Sequence, residues 1–487
     1  MVILIRPRLL LATIINLFLT SAAVPVPPWL GHDEKRSGGG GFVGVDGMQF
    51  VANDRTTVYL SGFNAYWLMT TASDPAQRAK VLAAFRQASA HGLNLARTWA
   101  FSDGGDKPLQ SSPGVYDEAM FKGLDFVVAQ ARRHGVYLLL CLTNNFHDFG
   151  GKRQYVQWAR DAADDDDDDL VITTAAAADD DFFNSTVVKG YYKNHVKTVL
   201  TRVNGFTGVA YKDDPTIFAW ELMNEPRCDA DPTGAMVQAW VEEMAPYVKS
   251  IDSNHLVTVG LEGFYGLGLH ESKALNPWAI YYGTNYIDTH RAPGVDLATI
   301  HLYPDLWLWG ATPAQQAAFF RNWTAAHARD TQRYLRMPLL VTEYGKFLLR
   351  WDQDQGANRS QRERDYFLAM VLDAIYDSAS NGGPLVGGAF WQLLDDGMDA
   401  LRDGYEIILP QDRQAATIIR NHSRQLAQLN GQDRRRRRYR STSRDRKIRV
   451  GSSSSSAGDA DTPPPRFPLI SLARFVSVFR QISSFFF

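Results

Sequence analysis

Two segments more than a hundred residues apart each place a glutamate just beyond a run of apolar residues. Ile217-Phe218-Ala219-Trp220-Glu221-Leu222 leads into Met223-Asn224-Glu225-Pro226, and Leu339-Leu340-Val341-Thr342 leads into Glu343-Tyr344-Gly345. A third run, Leu297–Leu302, delivers His301 and then Tyr303 at its end. A pair of carboxylates facing one another suits cleavage of a glycosidic bond: one protonates the leaving oxygen while the other attacks or assists at the anomeric carbon. A separation of about 5–5.5 Å would mean retention of configuration through a covalent glycosyl intermediate. Either glutamate alone reads better as a solvated carboxylate or an ion-pair partner, and it is their matching positions that point to a reactive pair. Glu221 lies inside its apolar run and reads as a buried structural acid, whereas Glu225 follows it where Asn and Pro open the backbone.

Other chemistries lack their motifs. The chain contains no His-Glu-x-x-His, Cys-x-x-Cys or Gly-x-Ser-x-Gly pattern, so zinc hydrolysis and serine esterase activity have no sequence support. Gly39, Gly41 and Gly44 match a dinucleotide fingerprint, but no strand precedes them and no helix follows, which makes the match a linker coincidence. The expectation is an enzyme with no metal and no organic cofactor.

The elements that must hold such a pair can be read from periodicity. Eight short apolar or β-branched runs are expected as strands: Val58–Phe63, Leu93–Trp99, Tyr137–Leu142, Ile217–Leu222, Leu256–Gly260, Leu297–Leu302, Leu339–Thr342 and Gly388–Trp391. Helical spacing is expected over Pro75–Ala90, Asp117–His134, Val187–Val203, Ala235–Ile251, Pro313–Tyr334, Gln361–Asp377 and Gln414–Leu429, with Asp74 and Asp117 as N-terminal acids. Strands alternating with helices imply a parallel sheet, and eight units imply an α/β fold of the (β/α)8 TIM-barrel kind in a single catalytic domain. In that architecture reactive groups project from the C-terminal strand ends, where Glu225, His301 and Glu343 fall. Trp67, Trp99, Phe101, Trp158, Tyr303, Trp307, Trp309 and Trp391 also lie at or after expected strand ends. Aromatic platforms interleaved with polar groups suit the apolar faces of pyranose rings, so a polysaccharide is the expected substrate. Trp391, closing strand eight, has the strongest claim.

At these residues the sequence resembles the plant endo-β-1,4-mannanases of glycoside hydrolase family 5. The resemblance rests on Ala96-Arg97-Thr98-Trp99-Ala100-Phe101, Asn144-Asn145-Phe146, Trp220 to Arg227, His301-Leu302-Tyr303-Pro304-Asp305, Thr342-Glu343-Tyr344-Gly345 and Phe390-Trp391-Gln392. It implies a retaining (β/α)8 enzyme that cleaves internal β-1,4-mannosidic linkages. Glu225 would be the proton donor and base and Glu343 the nucleophile. Substrate binding would involve Arg97, Trp99, Asn224, His301, Tyr303 and Trp391. Arg97 would keep the nucleophile ionised, Asn224 would bond the sugar 2-hydroxyl, His301 and Tyr303 would orient the two acids, and Trp391 would floor the subsite of the cleaved sugar. A β-1,4-glucanase or a mannan transglycosylase would use the same carboxylates. A polysaccharide-binding protein whose cleft an insertion has disabled is the alternative outside enzymes.

The chain has 487 residues, 45% hydrophobic and 21% charged, which excludes disordered and fibrous classes. Its net charge of −2 gives no general drive toward nucleic acid. That balance hides a basic tail: residues 431–487 carry thirteen Arg or Lys against four Asp, leaving the rest acidic. Residues 1–23 read as a signal peptide, with Arg6 and Arg8, an apolar stretch from Leu9 to Leu19 and Ser21-Ala22-Ala23 as cleavage site; residues 24–41 read as a linker. The domain is expected over 42–432, with an acidic insertion at about 161–181 that includes six aspartates, Asp164–Asp169, and stays solvated. The tail from 433 to 487 is expected to be disordered. Secretion to the cell wall without a membrane anchor follows, and four Asn-x-Ser/Thr sequons at Asn184, Asn322, Asn358 and Asn421 are compatible with it. Cys141 and Cys228 allow at most one disulfide, so core packing must supply the stability. Oligomeric state is left open.

Overall fold

The computed structural model describes residues 41–164, 179–267, 271–277, 282–348 and 356–444. Every expected run forms a strand: β1 (Leu60–Asn64), β2 (Leu95–Trp99), β3 (Tyr137–Cys141), β4 (Ile217–Glu221), β5 (Leu256–Thr258), β6 (Ala298–Leu302), β7 (Leu339–Tyr344) and β8 (Leu385–Phe390). All neighbours are parallel, in the order β5-β4-β3-β2-β1-β8-β7-β6. Between β5 and β6 the join is made without a regular ladder. The Asp296 N–H donates to the Val257 carbonyl and the His301 N–H to the Glu262 carbonyl, both at 2.9 Å, and the Thr258 and Thr299 hydroxyls reach the Leu297 and Leu261 carbonyls. The result is the (β/α)8 barrel, with strands buried on both faces as a helix-covered parallel sheet requires.

Each strand is followed by a helix: α1 (Arg78–Ala90), α2 (Glu118–His134), α3 (Thr186–Thr201), α4 (Ala235–Ile251), α5 (Tyr286–His290), α6 (Pro313–Asp330), α7 (Gly356–Ser380) and α8 (Arg413–Arg444). Their starts follow the sequence. Asp117 caps α2 by accepting from the Ala119 and Met120 N–H groups, and Gly135 ends it at φ 67°, a conformation glycine adopts without strain. Thr312 and Gln315 form a reciprocal cap on α6, with Pro313 in the first turn. Asp74 caps a single 3-10 turn, Pro75–Gln77, rather than α1 itself. Ahead of β1 a small antiparallel sheet brings Phe50 edge-on to Phe218 of β4, with ring centroids 5.0 Å apart.

Several boundaries differ from expectation for identifiable reasons. β5 stops at Thr258 because Gly260 has φ 96°; a Cβ there would sit 2.0 Å from the Met223 carbonyl, so the chain bends where β4 and β5 approach most closely. β8 starts at Leu385, ahead of Gly387 and Gly388, whose missing side chains admit Leu60 of β1 and the Val341 carbonyl of β7. The last helix continues to Arg444, so the backbone of 433–444 is helical rather than disordered. Arginine is a good helix former, and cations are favourable toward a helix C-terminus.

The acidic segment also differs from expectation at its end. Asp180 is buried, not solvated: it accepts from Lys152 Nζ at 2.5 Å and from the Ala230 N–H at 2.8 Å, a compensated buried charge that ties this segment to the loop after β4. The signal peptide, nearly all of the linker, the aspartate run beyond Asp164 and the tail beyond Arg444 lie outside the described residues. Among those described, no helix is long and apolar enough to cross a membrane. Cys141 and Cys228 are both buried and free.

Asp125 of α2 is a second compensated charge, accepting from Arg202 Nη2 and the Tyr211 hydroxyl at 2.7 Å each and from the Gly205 N–H at 3.0 Å. It fastens α2 to the connection that leads into β4. Arg202 keeps Glu118 at 2.7 and 2.8 Å, so Asp125→Ala chiefly strands the Tyr211 hydroxyl and the Gly205 N–H and should destabilise the fold by about 1–3 kcal/mol, read from the denaturant midpoint. A loss below about 1 kcal/mol would mean that the network adds nothing net.

Candidate active site

Strand register assembles the site. Asn64 pairs with Arg97 across β1 and β2, Cys141 with Glu221 across β3 and β4, and His301 with Glu343 across β6 and β7. The β6–β7 pairing shifts at Ile300/His301, and the β7–β8 pairing shifts between Val341 and Tyr344, so Thr342 and Glu343 occupy a bulge. Bulges re-aim side chains. Asn64 stitches this one: its Nδ2 donates to the Thr342 carbonyl at 2.8 Å and to those of Ala389 and Phe390 at 3.2 and 3.3 Å.

Arg97 is fully buried at the centre, and all five of its N–H donors are used. Nε and Nη2 grip Glu221 at 2.8 and 2.5 Å; Nη1 donates to Glu343 at 2.5 Å and to Asn64 Oδ1 at 3.0 Å; Nη2 also donates to Asn224 Oδ1 at 2.7 Å. Glu221 is thus the structural acid expected of it. Asn224 donates through Nδ2 to Asn144 Oδ1 at 3.0 Å, which fixes the orientation of its amide.

The two carboxyls have different surroundings. Glu343, 5% exposed, accepts from Arg97 on Oε1 and from the Tyr303 hydroxyl on Oε2 at 2.7 Å. Glu225, 8% exposed, has His301 Nδ1 at 2.6 Å from Oε1, and Arg227 stands 3.5 Å from Oε2. One carboxylate oxygen of each glutamate and a ring nitrogen of His301 all lie within 4.8 Å of one another. Burial pushes both carboxyls above the ordinary carboxylate value; at Glu343 this is opposed by His301, Arg97 and the Tyr303 hydrogen bond, and at Glu225 by Arg227 and Arg97. Burial lowers the His301 imidazole, which favours its neutral form. Two short donor contacts satisfy Glu343 as an anion, while Glu225 has one short contact, to a neutral ring. An arrangement of this kind can keep one acid charged and let the other carry a proton.

Glu225 itself has φ 48°, left-handed for a residue with a side chain. Its N–H donates to the Gly260 carbonyl at 3.0 Å, which holds the turn that lifts the carboxyl out of the strand direction.

The aromatic residues divide. Trp391 is half-buried, nearly parallel to Tyr66 at 5.8 Å and anchored through Nε1 to Asp403 at 2.6 Å. Trp99 is buried against Phe101, with the Arg97 guanidinium 5.0 Å from its ring. Tyr303 is buried except for an edge, and its ring meets Tyr405 edge-on. Trp67, Trp158 and Trp307 are core residues rather than platforms: Trp67 donates to the Leu393 carbonyl, and Trp158 and Trp307 pack into aromatic clusters with Tyr155 and with Phe264 and Trp323. Trp309 is exposed.

Sequence reasoning passed over Asn64, Tyr66, Asp403 and the pair Arg227–Glu262, whose Nε and Nη2 contacts are 2.9 and 2.6 Å. Asn64 was reachable by the rule that found Glu225, being the polar end of a strand. Asp403 carries no such signal, since a loop folds it back onto Trp391.

Comparison with known proteins identifies the family. The family model described as "GH family 5 beta-mannosidase-like" matches residues 40–398. Mannan endo-1,4-beta-mannosidase 3 of Oryza sativa subsp. japonica is 67% identical over 453 residues, covering 91% of this chain and 92% of the relative. Mannan endo-1,4-beta-mannosidase 7 of Arabidopsis thaliana is 49% identical over 82% and 88% of the two chains. Among solved structures, the endo-beta-1,4-mannanase from Thermotoga petrophila superposes with a TM-score of 0.62 at 28% identity, covering 76% of this chain and 77% of that one. With a matching family model over most of the barrel and relatives this similar over most of their length, the chain belongs to the β-mannosidase-like group of glycoside hydrolase family 5.

Proposed function

We propose that this protein is a mannan endo-1,4-β-mannosidase, a retaining glycosidase that cleaves internal linkages of mannan, galactomannan and glucomannan. The observation that carries the mechanism is the proximity of Glu225 and Glu343, one carboxylate oxygen of each lying within 4.8 Å of one of the other's. An inverting enzyme needs about 6.5–9.5 Å to admit a water between its carboxyls, and a double displacement needs about 5–5.5 Å. In the first step Glu343 attacks the anomeric carbon while Glu225 gives its proton to the departing glycosidic oxygen. In the second, Glu225 takes a proton from water, which displaces Glu343 and restores both groups.

The other residues take roles consistent with their contacts. Arg97 and Tyr303 hold Glu343 as the anion, and His301 steadies Oε1 of Glu225, leaving Oε2 toward the reacting oxygen. Asn224, its amide fixed by Arg97 and Asn144, has one N–H left for the sugar 2-hydroxyl, a contact that strengthens in the oxocarbenium-like transition state. Trp391 offers a ring face to the cleaved sugar. The N-terminal leader supports secretion to the cell wall, where such polymers lie.

Product profiles on galactomannan, glucomannan and carboxymethylcellulose test the substrate, and preference for the last would overturn the mannan assignment. Glu343→Ala should lower kcat/KM on mannan by about 1,000-fold or more while oligosaccharide binding persists. Glu225→Ala should do the same on mannan but retain turnover of aryl mannosides whose leaving group needs no proton. Equal losses of both substrates in both variants would contradict the division of roles.

Tyr303→Phe removes a hydrogen bond that lowers the Glu343 pKa. The carboxyl then titrates higher, and because the nucleophile must be ionised, the acidic limb of the kcat/KM profile should move to higher pH with the basic limb unchanged. A profile that falls uniformly without moving would place the role of Tyr303 elsewhere.

A further inference from the structure

Beyond the cleft, α6 and α7 flank an open groove of about 310 Å³. Its lining is mixed: Pro313 and Gln316 from α6, Tyr366 and Phe367 from α7, and Pro304 and Lys346 from the loops that follow β6 and β7. Pro304 directly follows Tyr303, and Lys346 lies three residues after Glu343, so the groove opens on the rim that carries the reactive carboxyls. Lys346 Nζ donates to Gln316 Oε1 at 2.9 Å, and Gln316 Nε2 donates to the Ala311 carbonyl at 3.3 Å, which braces the loop containing Trp309 against the loop after β7.

One exposed ring of the described residues lines this groove, and another lies on the loop that Gln316 braces. Large hydrophobic side chains that are exposed include only two aromatics, Trp309 at 67% and Tyr366 at 62%. One lies four residues before Pro313 and the other lines the groove. Neither touches the catalytic carboxyls, and burial would shield either from water at no packing loss to the core. Exposed rings beside polar side chains are the chemistry that takes a pyranose: a flat face for its C–H groups and donors and acceptors for its hydroxyls. The volume falls at the lower end of ligand-sized sites, which run from about 300 to 1,000 Å³.

We infer that the α6–α7 groove, with Tyr366 as its platform and Trp309 at its approach, is a second binding site for a β-1,4-mannan chain, separate from the cleft that cleaves it. The choice of occupant rests on the functional reading above. A polymer held on the same rim raises the local concentration of linkages near Glu343 and Glu225, an effect that matters for a long or insoluble chain and vanishes for a short oligosaccharide.

The test is electrophoresis of Glu343→Ala protein through gels containing galactomannan, with and without Tyr366→Ala added. Loss of one platform should weaken the apparent affinity about 3- to 10-fold, and Trp309→Ala should act in the same direction. In protein with Glu343 intact, Tyr366→Ala should leave kcat/KM on mannopentaose unchanged and lower turnover of insoluble mannan by a similar factor. Unaltered retardation overturns the groove, and so does an equal loss on mannopentaose and on polymer, which would place Tyr366 in the cleft or in the fold. Failure of the parent protein to turn over either substrate would defeat the catalytic reading alone, because retardation is scored on protein that needs no turnover.

Discussion

One buried guanidinium organises this molecule. Arg97 sits in the barrel with every N–H bonded and two carboxylates, Glu221 and Glu343, within 2.5 Å of its nitrogens. A buried cation without partners is expensive, and so is a buried carboxylate, so the three groups must be placed together or not at all. That requirement fixes the register of β2 against β1, β4 and β7 at one level of the barrel. Glu221 takes the bidentate face and leaves Nη1 for Glu343, so a single arginine holds both carboxylates.

The same geometry separates two chemically identical side chains. Glu343 meets donors on both oxygens and is satisfied only as an anion. Glu225 meets a neutral imidazole and a more distant arginine; burial raises both carboxyls, and the two differ in the donors that oppose it. The backbone contributes as well. A bulge turns Glu343 inward, and a left-handed turn at Glu225, held by the Gly260 carbonyl, brings the second carboxyl to the same level. Local strain of this kind persists because surrounding contacts over-determine it, and it holds both carboxyls at one level of the barrel mouth.

The acidic segment between β3 and β4 enters this picture through Asp180. Its carboxylate and Lys152 are buried together, and Lys152 also donates to the Arg227 carbonyl at 2.8 Å, two residues past Glu225. The end of the segment is therefore part of the packing behind the loop that carries Glu225.

The barrel was legible in the sequence because strands buried on both faces read as continuous apolar runs, and caps such as Asp117 and Thr312 mark where helices begin. The two glutamates were legible for the same reason: a charge at the end of an apolar run has few structural explanations. Neither rule reaches Asp403, which only a loop returns to Trp391, nor the burial of Asp180, since a run of aspartates looks solvated until a lysine from another helix neutralises one of them. Side chains such as Trp67 and Trp307 likewise sit at strand ends in the sequence yet face the core. What residue order alone determined was the set of elements and the kinds of chemistry at their ends. The partners of the two glutamates were decided only in three dimensions, because folding alone brings Arg97 and Tyr303 to Glu343 and His301 and Arg227 to Glu225 and removes water from both.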